Sequence, residues 1–162
     1  MSTRENEVRK NSLRFNANEI ILAVDMIEKL EKTMDVVYYL MEHEDVESIV
    51  LLLITAQNLD MLALLEYEKR DTDILFEVNK EKATYVMLCQ DTKVDGGYHF
   101  AERIIENIVS KEGTDIYCAE VEVRSTRYKV KNVIFKLIET FMKAKAEKLY
   151  TKVLIRGYLK GF

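Results

Sequence analysis

A β-rich run, a polar turn and an amphipathic helix follow one another without interruption in residues 84–108, TYVMLCQDTKVDGGYHFAERIIENI. The run TYVMLCQ favours a strand because apolar and β-branched residues fill it, and QDT supplies polar turn residues. After the turn, Ile104, Ile105 and Ile108 recur at helical spacing. A strand joined to a helix over so few residues restricts the chain to folds that mix the two element types.

The rest of the chain alternates in the same way. Helices are predicted at about residues 16–43, 59–70, 95–110 and 128–148, and strands at 48–56, 73–78, 84–90, 116–124 and 152–158. The polar residues 79–83 between two β-rich runs indicate a hairpin. This order predicts an α+β fold with a central, mainly antiparallel sheet of about five strands flanked by helices. Residues 1–15 are expected to be a mobile tail, and residues 16–162 a single domain, with an N-terminal helix (16–45) and a core (46–162).

The first helix carries a sustained apolar stripe whose residues recur at alternating intervals of four and three positions: Ala23, Ile27, Leu30, Met34, Val37 and Met41. One interpretation is a helix that packs on the sheet of its own domain. The other is a helix that mediates dimerisation. The sequence leaves both open.

Several side chains receive a predicted orientation from the pattern alone. The nearly continuous apolar run at 48–56 indicates a central strand covered on both faces. Alternation in residues 116–124 predicts that Glu120 and Glu122 point outward. In the short second helix, Leu62, Leu65 and the region of Tyr67 are predicted to face inward. Cys89 and Cys118 lie in apolar runs and are expected to be buried thiols of a reducing compartment, because two cysteines give no disulfide framework.

Composition narrows the function classes. Hydrophobic residues make up 48% and charged residues 32%, with a net charge of −4. No strong basic block is present, which argues against nucleic acid as the main partner. No apolar run is long enough to span a bilayer, so no membrane insertion and a cytoplasmic location are expected. His43 and His99 lack a second ligand at metal-binding spacing, so no metal site and no cofactor are predicted.

Three pieces of the chain, in order, resemble GGDEF domains, the diguanylate cyclase domains of bacterial signalling. They are a hairpin preceded by Arg70-Asp-Thr-Asp73, the sequence LCQDT followed by Ala101-Glu-Arg-Ile104, and the closing segment LIETFMKAKAEKLYTKVLI. The resemblance covers about residues 48–155, and its weight lies in order and spacing. It implies the palm-like fold of nucleotidyl cyclases.

The resemblance also implies that the catalytic motif belongs at the hairpin turn, which here reads Asn79-Lys80-Glu81-Lys82-Ala83. Both family glycines are missing, and two lysines occupy a region meant for cations. The first family metal ligand corresponds to Thr55, a poor match for Mg²⁺. The helix that contacts guanine in the family is largely deleted. Gly96-Gly97-Tyr98-His99-Phe100 imitates the missing motif, but a helix is predicted there. A catalytically inactive domain is therefore expected.

The inhibitory site of the family, which binds the product cyclic di-GMP, has matching residues in this chain. An RxxD motif, Arg70 and Asp73, precedes the hairpin turn at the family's interval, and Arg103 matches the arginine of the AERI helix. A guanidinium group can bind guanine or phosphate, and a carboxylate can accept from the Watson–Crick edge of guanine. The alternatives are that Arg70 only pairs with Asp73, and that Arg103 lies on an ordinary exposed face.

Two functions follow from these observations. The first is a cyclic di-GMP receptor that uses Arg70, Asp73 and Arg103 and passes the signal to a protein partner or a second copy. The second is a ligand-free module for protein–protein interaction or dimerisation. Neither needs catalytic residues or a cofactor.

Overall fold

The computed structural model describes residues 15–158. Most of the predicted tail therefore lies outside the described residues, and Phe15, its last residue, stacks on Phe135 at a centroid distance of 5.5 Å. Four helices and five strands follow in the predicted order: α1 (Ala17–Glu42), β1 (Ile49–Gln57), α2 (Met61–Glu68), β2 (Asp73–Asn79), β3 (Thr84–Gln90), α3 (Val94–Ser110), β4 (Thr114–Val123), α4 (Val130–Ala146) and β5 (Val153–Tyr158).

The strands form one sheet in the order β2-β3-β1-β4-β5. All neighbours are antiparallel except β4 and β5, which are parallel. The predicted α+β fold with a mainly antiparallel five-stranded sheet is confirmed. So is the hairpin, since β2 ends at Asn79 and β3 begins at Thr84. The parallel pair arises because α4 crosses over between β4 and β5.

Helices cover both faces of the sheet, so its central strands are buried throughout. On one face lie α1 and α4, and on the other α2 and α3. Every residue of β1 from Ile49 to Ala56 is buried, as the apolar run predicted. Both cysteines are buried and free.

Helix α1 uses its apolar stripe inside the domain. Asn16 starts the helix by accepting a hydrogen bond from the Glu19 amide at 3.0 Å. Ala23, Leu30, Met34 and Val37 are buried in contact with the core, together with Met26, while Ile27 and Met41 pack against it. The interpretation of α1 as a helix packed on its own domain is therefore confirmed for this stripe.

Two predicted orientations are wrong. Glu120 and Glu122 are both fully buried, because β4 lies between β1 and β5 and α3 covers the face on which the two side chains stand. In α2, Leu65 is buried as predicted, but Leu62 is 39% and Tyr67 is 87% exposed. A helix of eight residues touches its neighbours along one narrow side, and these two residues lie outside it.

Candidate functional site

A cavity of about 280 Å³ lies between the α2–β2 connection, the β3–α3 connection and the outer face of α3. Its lining consists of Arg70, Asp91, Thr92, Gly96, His99, Phe100 and Arg103. The α3 residues are spaced as 96, 99, 100 and 103, the interval that places side chains on one face of a helix. The fold thus brings Arg70 and Arg103 to the same cavity although 33 positions separate them in the chain.

Arg70 is held from one side by Asp73. Its Nε lies 3.2 and 3.1 Å from the two carboxylate oxygens, and its Nη2 donates to Oδ1 at 2.8 Å. The backbone amide of Arg70 also donates to Asp73 Oδ2 at 2.8 Å. Nη2 donates a further bond to the Thr92 hydroxyl at 2.9 Å, and that hydroxyl in turn donates to the Gln90 carbonyl. The guanidinium plane is therefore fixed before any ligand arrives.

Asp73 stands behind Arg70, away from the cavity. Its side chain is fully buried, and it lies opposite Cys89 in the β2–β3 pairing. Burial and the neighbouring Asp73 carboxylate raise the pKa of the Cys89 thiol, which stays protonated. Both oxygens of Asp73 accept from Arg70, so a direct contact of Asp73 with guanine stays a prediction.

Arg103 is held in a similar way by other partners. Its Nε donates to Glu68 Oε2 of α2 at 3.2 Å, and its guanidinium carbon lies 5.1 Å from the centroid of the Phe100 ring. Glu68 also accepts a short hydrogen bond from Asn107. Within residues 15–158, Nη1 of Arg70 and both terminal nitrogens of Arg103 donate no hydrogen bond to the protein. Each arginine thus has donors left for a ligand.

At the hairpin turn, where the sequence placed the family's catalytic motif, side chains of β1 form hydrogen bonds with the backbone of the turn. Thr55 Oγ1 and Gln57 Nε2 both donate to the carbonyl of Lys82 in the hairpin turn, at 3.0 and 3.1 Å. A cavity of about 520 Å³ lies beside this turn, with Thr55, Asn79 and Lys82 in its lining. In the part of the chain that the structure describes, no group of three histidine, cysteine or carboxylate side chains could hold a metal ion. The imitation motif at Gly96-Gly97 lies inside α3, as predicted.

Sequence reasoning missed five residues of the Arg70–Arg103 cavity: Asp91, Thr92, Gly96, His99 and Phe100. The helical spacing of three of them with Arg103 was a usable signal, because it places one glycine and two aromatic rings beside the arginine. Thr92 had no such signal. Its place depends on the turn geometry at Asp91, whose φ is 48°.

The fold is that of GGDEF diguanylate cyclase domains. Similar solved structures include the active GGEEF domain of a diguanylate cyclase from Vibrio cholerae, with a TM-score of 0.59 and 13% identity over 76% of this chain and 90% of that chain. The coiled coil and GGDEF domain of DgcB from Caulobacter crescentus in complex with c-di-GMP gives a TM-score of 0.64 and 10% identity over 77% and 78%.

A third similar structure is the diguanylate cyclase SiaD from Pseudomonas aeruginosa in complex with its activator SiaC, with a TM-score of 0.62 and 14% identity over 78% of this chain and 56% of that chain. At these identities the similarity establishes the shared fold. No family model matches the sequence, and no curated protein does. No helix among residues 15–158 is long and apolar enough to cross a membrane.

Proposed function

We propose that this chain is a catalytically inactive GGDEF-like domain that binds cyclic di-GMP at the Arg70–Arg103 cavity. The observation that carries the proposal is the convergence of two anchored guanidinium groups with unused donors on one cavity. Asp73 orients Arg70, and Glu68 with Phe100 orients Arg103. Because the groups are fixed in advance, little side-chain entropy is lost on binding.

The chemistry of the cavity suits a guanine nucleotide. Guanine offers O6 and N7 as a pair of acceptors that match the fork of an arginine, and phosphate oxygens accept from the same donors. A volume of about 280 Å³ lies just below the range of about 300–1,000 Å³ for ligand pockets, so the cavity admits one base at a time and the rest of the ligand stays outside it.

Inactivity rests on the hairpin region. Residues 79–83 contain no glycine pair, and the carbonyl of Lys82 is engaged by Thr55 and Gln57 where the family places metal and substrate. Incubation of the protein with GTP and Mg²⁺ is expected to yield no cyclic dinucleotide, and a product that scales with protein concentration would contradict this part.

Isothermal titration with cyclic di-GMP tests the binding. Arg103→Gln removes the charge, and Arg70→Lys keeps a cation beside Asp73 but loses the planar fork. Each variant is expected to bind about tenfold to a hundredfold more weakly, since hydrogen bonds to charged groups contribute about 1.5–3 kcal/mol. Arg156→Ala, an exposed arginine on β5, is the matched control and should bind normally. Absence of heat at tens of micromolar protein, or unchanged binding in both variants, would reject the site.

The second candidate function is a module for protein interaction or dimerisation, and one observation favours it. Five apolar side chains on the outer face of α1 are about half exposed: Ile20, Ile21, Val24, Val36 and Tyr39. At 100° per residue, Ile21, Val24, Val36 and Tyr39 lie on the half of the helix opposite the buried stripe, and Ile20 lies at its edge. Light scattering over a range of concentrations tests this function. A mass above the monomer that falls in Ile21→Glu but not in Lys111→Glu, an exposed position on the other side of the sheet, would support it. A monomer at all concentrations would exclude dimerisation.

A further inference from the structure

Two glutamates on β4 lie under the first turns of α3, on the sheet face opposite α4. Glu120 and Glu122 are both fully buried, two positions apart on the same side of the strand. The α3 helix above them also carries Gly96, Phe100 and Arg103 of the cavity. A change in how α3 packs on these two carboxyl groups therefore also moves the residues of α3 that line the cavity.

Glu122 has partners that suit a charged carboxylate. Its Oε2 accepts from the backbone amide of Val94, the first residue of α3, at 2.6 Å, and its Oε1 accepts from Arg124 Nε at 2.7 Å. The residue before the helix, Lys93, gives no side-chain cap, so Glu122 caps α3 from the neighbouring strand. A negative charge at this end of a helix is favourable.

Glu120 differs from Glu122 in its surroundings. Both of its carboxyl oxygens are buried, and neither accepts a hydrogen bond from the part of the chain that the structure describes. Helix α3 presses directly on it: a Cβ atom on Gly97 would collide with the Glu120 carboxyl and would lie 2.7 Å from Val50 Cγ1. Glycine at position 97 therefore marks a close contact between the helix and an acid that forms no ion pair within residues 15–158.

The titratable groups around Glu120 favour its neutral form. Those that face it are carboxylic acids, thiols and one phenol, contributed by β4, α3 and β3: Glu122, Cys118, Asp95, Tyr98 and Cys89. Its neighbours on the adjacent strands are apolar, Leu52 on β1 and Ile155 on β5. Burial, with Glu122 and Asp95 as further causes, raises the pKa of Glu120 to about 8. Burial also raises the pKa of both thiols, so they do not ionise near neutral pH.

We propose that Glu120 makes the Arg70–Arg103 cavity proton-sensitive: α3 sits closely on the sheet while Glu120 is protonated, and ionisation of Glu120 loosens the first turns of α3 and weakens ligand binding. The predicted effect on ligand binding rests on the proposed function, because it concerns the same cavity. The predicted loosening of α3 does not depend on the proposed function.

The direction of the effect follows from linkage. The folded chain keeps the Glu120 proton up to about pH 8, whereas the unfolded chain releases it near the ordinary value of about 4.5. Between these values folding takes up a proton, so stability falls as pH rises. The contribution is complete below the lower value and lost above the higher one.

Urea unfolding of the wild type and Glu120→Gln at several pH values tests the proposal without a ligand. The ratio of their folding equilibrium constants should shift against the wild type by up to about tenfold per pH unit between pH 5.5 and 7.5. Ionisable groups other than Glu120 contribute the same pH dependence to both proteins, so their contribution cancels in this ratio. Glu106→Gln, an exposed acid on the same helix, is the matched control and should follow the wild type. Glu120→Met replaces Glu120→Gln if the amide does not fold. A ratio constant within twofold would overturn the proposal.

Amide hydrogen exchange locates the effect. After correction for the intrinsic pH dependence of exchange, residues 94–101 of the wild type should lose more protection than α4 between pH 6.5 and 8.5, because α4 loses only what the fall in global stability causes. In Glu120→Gln the two segments should show no such difference. Equal loss in α3 and α4 would contradict a local loosening.

Titration with cyclic di-GMP at pH 6.5 and 8.5 tests the ligand part. The wild type should bind several-fold more weakly at pH 8.5, and Glu120→Gln should bind equally at both values. Equal pH dependence in the two proteins would reject the coupling. No binding at either pH would reject the proposed function, and the unfolding and exchange measurements would still decide the behaviour of Glu120.

Discussion

The hairpin turn and the Arg70–Arg103 cavity differ in how their polar groups are used. At the turn, the Lys82 carbonyl accepts from Thr55 and Gln57, and the Lys82 amide donates to Asn79 Oδ1 at 2.9 Å. At the cavity, each arginine is bonded on one side and has donors left on the other. In the first region the polar groups form hydrogen bonds with one another. In the second, the arginines are held in place but keep donors that bond to no acceptor within residues 15–158. Binding capacity is therefore expected where anchored groups keep unused hydrogen bonds.

The largest expected effect comes from removing the anchor of the cavity. Arg70→Ala leaves the fully buried Asp73 carboxylate without its guanidinium partner, and breaking a buried pair in this way costs about 3 kcal/mol of unfolding free energy. Urea denaturation measures it. Arg103→Ala is the comparison, with a loss below about 1 kcal/mol, because Arg103 makes a single hydrogen bond to Glu68, and the Glu68 carboxylate keeps its bond from Asn107. Equal losses of unfolding free energy in the two variants would show that Arg70 contributes no more to stability than Arg103.

A smaller effect is expected where α3 meets the sheet. Gly97→Ala should cost about 2 kcal/mol of unfolding free energy, because the new methyl group collides with Glu120 and Val50 in a packed interior. Gly96→Ala is the matched control: its Cβ would meet only Thr92 Cγ2 at 3.5 Å, so alanine should gain about 0.5 kcal/mol from helix propensity. Thermal unfolding distinguishes them. Similar melting temperatures would show that the contact over Glu120 is loose.

The smallest effect is expected at the hairpin. Thr55→Val removes one of the hydrogen bonds to the Lys82 carbonyl, which keeps its bond from Gln57, and should cost about 1 kcal/mol. Because the turn takes no part in the proposed binding, affinity for cyclic di-GMP should not change. A loss of affinity comparable to that of Arg103→Gln would mean that the turn and the cavity are not independent.

Much of the fold could be predicted from local patterns. The second strand of the hairpin was predicted with its observed bounds, residues 84–90, because polar residues delimit the apolar run on both sides. The buried strand β1 was evident from eight consecutive residues without a charge. Both predictions depend on features that lie within a few residues of one another.

The failures depend on features that lie far apart. Glu120 and Glu122 alternate with apolar residues as the outer face of an exposed strand would, and only the position of β4 between two strands and under α3 makes that face an interior. For the cavity, the RxxD motif predicted Arg70 and the match to the AERI helix predicted Arg103. That Arg70 also bonds to Thr92 depends on a backbone turn at Asp91. No local pattern determines such an encounter.

The cap that Glu122 provides for α3 has a consequence for the folding pathway. A helix with a local cap can nucleate by itself, but the first turn of α3 obtains its acceptor from a residue 28 positions further along the chain. That turn is expected to become ordered only after β4 has joined the sheet, late on the route to the native state. Substitutions at Glu122 should accordingly speed unfolding and leave the refolding rate nearly unchanged.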